Sequence, residues 1–106
     1  FECDIYLSYD VSYEEALDIV DSVSRNLSAQ EDLNKYILED VKLFGIMEIK
    51  ESSYVARTTA VAVPGHQWEL ARRERKLIID EIYHRDLNPS IQVVAIASGK
   101  EANEEV

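Results

Sequence analysis

The first nine residues alternate between apolar and polar side chains, which is the pattern of a half-buried β-strand. The residues on the apolar side are Phe1, Cys3, Ile5, Leu7 and Tyr9. Tyr6 is an aromatic residue on the otherwise polar side, among Glu2, Asp4 and Ser8. Single exposed aromatic residues are common on protein surfaces, but Tyr6 is also a candidate contact with a neighbouring subunit.

Two later stretches carry apolar residues at helical spacing. Ser12 and Glu15 have the spacing of a capping box, which predicts that a first helix begins near Tyr13. Its apolar stripe consists of Ala16, Ile19, Val20, Val23 and Leu27. A turn at Pro64-Gly65 precedes a second predicted helix, from about Gln67 to Arg85. The residues of this helix expected to face inward are Leu70, Ala71, Ile78 and Ile82.

Three further stretches have the composition of β-strands. The first is Ile37 to Ile49, in which Gly45 predicts a bulge or bend. The second is Tyr54 to Val63, which is rich in β-branched residues. Ile91 to Ala97 follows Asn88-Pro89 and is the last. The order β-α-β-β-α-β predicts an α+β domain of ferredoxin-like architecture, a four-stranded sheet with two helices on one face. We expect this domain to span residues 1–98, followed by a flexible acidic tail at 99–106.

The net charge of −10 is spread unevenly over the 106 residues. Residues 1–56 contain 13 acidic and 4 basic residues, whereas residues 57–106 contain 8 acidic and 7 basic residues. Nucleic acids and anionic lipid headgroups bind clustered lysine and arginine, so the acidic first half disfavours both partners. The longest apolar run, Val93 to Ala97, is far shorter than the ~20 residues of a membrane helix. Because the chain opens at Phe1, we expect a soluble fragment of a longer protein.

Residues that support catalysis or metal binding are sparse in this sequence. Cys3 is the single cysteine, and its place on the apolar side of a strand predicts a buried, unreactive thiol. His66 and His84 lie at opposite ends of the second predicted helix, roughly 25 Å apart, too far to share a metal ion. The sequence has no phosphate-binding loop, dinucleotide turn, zinc-ligand spacing or nucleophile elbow. We therefore predict a protein that is not an enzyme and binds no metal or cofactor.

The second predicted helix contains a basic run from Arg72 to Lys76, which has two interpretations. It is either a solvated helix face with ion pairs at i,i+4 spacing, or a cationic stripe that meets the acidic first half of an adjacent subunit. The pairs expected in the first case are Glu69–Arg73 and Lys76–Asp80. The stripe expected in the second case consists of Arg72, Arg75 and Lys76.

Trp68 follows the Pro64-Gly65 turn directly. It either closes the core at the entrance of the helix or anchors a neighbouring subunit, since tryptophan is enriched in interface hot spots. The candidate subunit interface therefore consists of Tyr6, Trp68, Arg72, Arg75 and Lys76.

Three motifs occur here in an order and spacing similar to those of one protein family. Leu7-Ser8-Tyr9-Asp10 resembles a Val-x-Tyr-Asp that ends a first strand. Gly45-Ile46-Met47-Glu48, with Glu51-Ser52-Ser53, resembles the connection into a later strand. Val63-Pro64-Gly65-His66-Gln67-Trp68-Glu69-Leu70 resembles a turn followed by a helix start. The family is that of the small-conductance mechanosensitive channels, whose C-terminal cytoplasmic α/β domain this chain resembles over most of residues 3–83.

One segment departs from the family pattern. Members commonly have Gly-Ile-x-Ile-Pro-Phe-Pro after the second helix, whereas this chain has Leu87-Asn88-Pro89-Ser90-Ile91-Gln92 and retains a single proline. In the family the chain after this point builds a small barrel on the symmetry axis. Ile91 to Ala97 would therefore either complete the sheet of this domain or join such a barrel.

The resemblance implies a parent protein in the bacterial cell membrane that opens under bilayer tension and releases ions and small solutes on hypo-osmotic shock. In this family, seven copies of the domain and of a preceding β domain form a hollow cytoplasmic cage with side openings for ions. The implied role is non-catalytic and consists of oligomer assembly and ion access. The implied partners are other copies of the chain, as a heptamer, and the permeating ions, while the domain itself does not contact the membrane.

Other functions are compatible with the same element order, because fold does not dictate function. The main alternative is a ferredoxin-like regulatory domain that binds a metal or small ligand, in a transporter or a soluble protein. A small phosphatase-like enzyme would need a phosphate-cradling loop after the first strand. Asp10-Val11-Ser12 contains neither the glycine nor the arginine expected of such a loop.

Overall fold

Two α-helices packed on an antiparallel β-sheet form the part of the chain that the computed structural model describes, residues 1–87 and the backbone of residues 91–96. The elements are β1 (Glu2–Ser8), α1 (Tyr13–Ser28), a 3-10 helix (Asn34–Tyr36), β2 (Ile37–Ile49), β3 (Ser53–Ala62), α2 (Gln67–His84) and β4 (Ile91–Ile96). The predicted turn at Asn88-Pro89 and the predicted tail at 99–106 lie outside the described residues.

The sheet is built around β3, which pairs antiparallel with β2 on one edge and with β1 on the other. The β1–β3 register is regular, with Ile5 opposite Ala56. The β2–β3 register shifts at four places, one of them between Leu43 and Gly45, where a bulge was predicted. The α+β class is thus confirmed, with two helices and a three-stranded antiparallel sheet. The backbone of β4 runs antiparallel beside the edge of β1 that does not pair with β3.

Helix α1 begins where the capping box predicted. The Ser12 side-chain oxygen accepts a hydrogen bond from the backbone N–H of Glu15 at 3.1 Å, which satisfies a donor that the first turn leaves without a helical partner. Glu14 and Glu15 lie in this first turn, where the helix dipole favours negative charge. The buried residues of α1 are Ala16, Ile19, Val20, Val23 and Leu27, which are the predicted stripe.

Helix α2 follows a turn at Gly65, whose φ of +94° is rarely adopted by residues with a side chain. The buried residues of α2 are Leu70, Ala71, Glu74, Leu77, Ile78 and Ile82. The four predicted inward positions are confirmed, and Glu74 and Leu77 join them. Buried side chains of both helices share one hydrophobic core with the sheet residues Ile5 and Leu7, so the helices lie on the same face of the sheet.

Candidate functional site

The residues predicted for a subunit interface lie on two different surfaces. Tyr6 is half-buried on the sheet face opposite to the helices, because its neighbours along β1 point into the core. Trp68 is half-buried in the first turn of α2, whereas Arg72, Arg75 and Lys76 are exposed farther along this helix. Arg72 and Lys76 line one surface cleft of about 330 Å³. The structure therefore brings Arg72 and Lys76 together and separates both from Tyr6.

Arg73 links α2 to the loop after α1. Its guanidinium donates to Asp32 Oδ2 at 3.0 Å and to the side-chain oxygen of Gln30. The predicted Glu69–Arg73 pair is wrong, because Glu69 instead contacts Nδ1 of His66 at 2.9 Å. The hydrogen bond from Arg73 lowers the pKa of Asp32 below its ordinary value. A contact between distant segments has thus taken the place of a pair within the helix.

The rest of the basic run contains one pair within the helix and two arginines, and contact with an adjacent subunit stays a prediction. Lys76 Nζ lies 3.2 Å from Asp80 Oδ2, so the predicted pair within the helix is confirmed. Such an exposed pair stabilises a helix by roughly 0.2–0.5 kcal/mol. Within residues 1–87, Arg72 and Arg75 form no ion pair. Their charges therefore lie toward solvent in the isolated chain.

A hydrogen-bond network joins the exposed edges of the two helices. Glu81 accepts hydrogen bonds from the Ser22 hydroxyl at 2.8 Å and from Arg85 Nε at 2.9 Å. Arg85 Nη1 also donates to Glu15 Oε2 at 3.1 Å. Partial burial raises the pKa of Glu81, but the two hydrogen bonds outweigh that effect, so the pKa is lowered overall. This network fixes the C-terminal half of α2 against α1.

The sheet face opposite to the helices carries a partly buried ion pair. Arg57 of β3 donates to both carboxylate oxygens of Asp4 on β1, at 2.7 and 3.1 Å. Asp4 is 7% exposed, and the hydrogen bond to it raises the pKa of Arg57. Two parallel hydrogen bonds are the strong geometry for arginine and a carboxylate, and they offset the cost of burying the charges. The pair fastens β1 to β3 beside Tyr6.

A carboxyl group is buried between α2 and the sheet. Glu74 is 1% exposed, and the Thr58 hydroxyl donates to Glu74 Oε2 at 2.6 Å. Burial raises the pKa of Glu74 to about 7, although Thr58, the Phe1 ammonium group and Arg75 each lower it in part.

Burial also raises the pKa of the Cys3 thiol, and the nearby Glu74 carboxylate raises it further. The buried thiol predicted from the sequence is confirmed, since Cys3 is 1% exposed.

A second cleft, of about 270 Å³, lies where the start of α1 meets the β2–β3 hairpin. We call it the tyrosine cleft, and it is lined by Tyr9, Val11, Ser12, Tyr13, Ile46, Ile49 and Tyr54. The rings of Tyr9 and Tyr54 stack with centroids 5.8 Å apart. The Tyr54 hydroxyl donates to the Val11 carbonyl at 2.6 Å, and the Tyr9 hydroxyl donates to the Lys50 carbonyl. The two rings are therefore held in place by contacts within the chain.

Neither the models of known protein families nor the curated proteins contain a match to this chain. The channel resemblance therefore rests on the three sequence motifs and stays a prediction.

The first and third motifs lie where one element meets the next, whereas Gly45-Ile46-Met47-Glu48 of the second motif lies within β2. Leu7-Ser8-Tyr9-Asp10 covers the end of β1, and Glu51-Ser52-Ser53 covers the turn between β2 and β3. Val63 to Leu70 covers the turn into α2.

The described residues carry neither a metal-binding cluster nor a membrane-spanning helix. Among those residues, no group of three or more histidine, cysteine, aspartate or glutamate side chains is arranged to hold a metal ion. No helix there is both long enough and apolar enough to cross a bilayer.

Sequence reasoning missed two features of the surface and core, for different reasons. Glu74 lies four residues after Leu70 and four before Ile78, so the helical period already placed its carboxyl on the buried stripe. The tyrosine cleft had no such signal. Tyr13 and Ile49 belong to segments far apart in the chain, and only the packing of the hairpin against α1 brings them together.

Proposed function

We propose that this chain is the cytoplasmic cage domain of a tension-gated mechanosensitive channel that releases ions and small solutes on hypo-osmotic shock. Its role in that assembly is non-catalytic, and it shapes the route of ions toward the pore. The parent lies in the bacterial cell membrane with this domain in the cytoplasm, and its copies assemble as a heptamer. The proposal rests on the sequence resemblance, and the fold adds support.

The observation that carries the proposal is that the three motifs occur on an α+β fold with two helices and an antiparallel sheet. The strand pairing follows the order β2-β3-β1, and the β4 backbone lies beside β1. This is the strand order of a ferredoxin-like domain, which we propose as the complete architecture. In that arrangement Ile91–Ile96 completes the sheet of its own domain rather than joining an axial barrel.

The charge distribution gives the proposed assembly two complementary surfaces. Glu14, Asp18 and Asp21 follow the exposed side of α1 at positions i, i+4 and i+7. Arg72 and Arg75 are exposed on α2 and form no ion pair within the described residues. A ring of identical subunits places different surfaces of the same chain in contact, so an acidic surface can meet a basic one.

Survival of osmotic shock tests this function. The gene of the intact parent, expressed in bacteria that lack their own mechanosensitive channels, should restore survival after transfer from high to low osmolarity. A parent lacking residues 1–106 should assemble less well and protect less, because the cage contacts are removed. Native gels report assembly in both cases. Failure of the well-expressed intact parent to protect cells would contradict the proposal.

The exposed carboxylates of the first half that lie outside the helices should give the channel a mild preference for cations. Changing Glu31, Glu39 and Glu51 to their amides should move the reversal potential in a salt gradient toward that of an unselective pore, because fixed carboxylates concentrate cations near the route of entry. The effect is limited to about 8 Å from the charges at physiological salt. Recordings in about 1 M salt, where screening acts within about 3 Å, are the control and should show no difference. An unchanged reversal potential at low salt would end this idea.

A further inference from the structure

We propose that the tyrosine cleft binds a cationic segment of a partner protein, with one apolar side chain packed on the tyrosine and isoleucine side chains that line the cleft and a lysine or arginine beside it at the rim. The inference does not depend on the channel proposal, because it rests on the shape and charge of this cleft.

The cleft offers an apolar surface that this chain leaves partly uncovered. Ile49 is 75% exposed, Tyr9 52% and Ile46 46%, and all three line the same cavity. Drug-sized ligands occupy pockets of about 300–1,000 Å³. The cleft, of about 270 Å³, is smaller than these pockets and is therefore suited to one or two side chains of a peptide. Fixed tyrosine rings lose little entropy on binding, which is why such residues recur in interfaces.

The charge around the cleft selects the partner. The lining of the cleft is itself uncharged, and the two segments that supply it, residues 9–14 and 46–54, contain four acidic residues and one basic residue. That basic residue, Lys50, lies 3.2 Å from Glu48 and is paired with it. Glu14 is close enough to Tyr54 to raise the pKa of its hydroxyl, after the larger effect of burial. A cation placed here gains from the carboxylates and from the faces of the rings, whereas an acidic segment is repelled.

The edge of the sheet beside the cleft disfavours a different mode of peptide binding. A peptide that adds to a sheet as a further strand needs a regular edge of backbone groups. The register of β2 shifts between Ile46 and Glu48, directly at the cleft, and irregularities of this kind protect edge strands from pairing. Recognition here therefore falls to side chains in the cleft.

Binding of synthetic peptides to the 106-residue chain tests the inference. The probe is a 12-residue peptide in which leucine and proline alternate with arginine and lysine. Its two controls replace the basic residues with glutamate or the apolar residues with serine. Titrations followed by two-dimensional amide NMR should show saturable shifts at Tyr9, Tyr13 and Ile49 with the cationic peptide, and no saturable binding of either control. Raising the salt concentration should weaken the binding.

Two substitutions locate the binding site. Ile49→Ser should weaken binding of the cationic peptide about tenfold, because it removes apolar surface that the ligand covers. The matched control, Ile79→Ser, changes an isoleucine that is 44% exposed on α2 and should leave the affinity unchanged. If Ile49→Ser perturbs the fold, Tyr13→Ser provides a second test on the opposite wall.

Three outcomes would overturn the inference. The first is equal binding of the cationic and the glutamate peptide, since charge would then select nothing. The second is shifts confined to surfaces outside the tyrosine cleft. The third is shifts at the cleft that grow with protein concentration in the absence of peptide, because the occupant would then be a second copy of the chain.

Discussion

Replacing Glu74 with glutamine should raise the free energy of unfolding at pH 8 by about 3 kcal/mol and leave it nearly unchanged at pH 4. The reason is that the unsubstituted chain buries a carboxyl whose pKa is about 7 in the folded state, compared with an ordinary value of 4.5. Glutamine has a similar shape, keeps an oxygen to accept the hydrogen bond of Thr58, and carries no charge at any pH.

The direction of the pH effect follows from proton binding. Below about pH 4.5 the carboxyl is protonated in both states and has no cost. Between about pH 4.5 and 7 the folded state holds a proton that the unfolded state has lost, so the stability of the unsubstituted chain falls as the pH rises. Above pH 7 the carboxylate is ionised in both states, and the cost of burying its charge is fully present. The stability of the Glu74→Gln variant relative to the unsubstituted chain should therefore rise through this pH window and then level off.

Urea denaturation at several pH values, followed by the fluorescence of Trp68, measures this difference. Other groups also titrate on unfolding, but they are common to both proteins and cancel when the two are compared. Glu39→Gln is a suitable control, because Glu39 is exposed on β2 and its substitution should leave the pH profile of stability unchanged. A Glu74→Gln variant less stable than the unsubstituted chain at pH 8 would contradict this prediction, because it would show that the folded state needs the carboxylate.

Replacing Ile78 with alanine should lower the free energy of unfolding by about 3 kcal/mol. Ile78 is 1% exposed in the core between the helices and the sheet, so the shortened side chain leaves a cavity there. The next residue, Ile79, is 44% exposed on the same helix. Ile79→Ala should cost no more than about 0.5 kcal/mol, because little buried surface is lost and alanine favours the helix.

This pair of adjacent isoleucines tests which side of α2 faces the sheet. Both variants remove the same atoms from the same helix, so propensity effects are matched and the difference reports burial. Thermal unfolding followed by circular dichroism gives both values. Equal losses of stability, or a larger loss for Ile79→Ala, would mean that α2 is rotated relative to the arrangement described above.

The helices could be predicted from the sequence because their signals are local. The capping contact between Ser12 and Glu15 spans three residues, and the buried stripe of α1 repeats every three or four residues. The bulge near Gly45 was likewise visible, since glycine inside a strand pattern marks such sites.

The contacts that could not be predicted join segments distant in the chain. Arg73 binds Asp32, 41 residues away, in preference to Glu69 on its own helix. Asp4 and Arg57 meet through the register of β1 and β3, which the strand patterns alone do not set. The same limit applies to the predicted interface, because the separation of Tyr6 from the basic residues of α2 depends on how the helices cover the sheet.

Patch recordings of the intact parent protein, purified and reconstituted in liposomes, test the channel assignment most directly. Under the proposed channel function, currents should be absent at rest and should appear in steps as suction stretches the patch. Absence of such currents up to the tension at which the patch ruptures, in preparations where a known mechanosensitive channel responds, would contradict it.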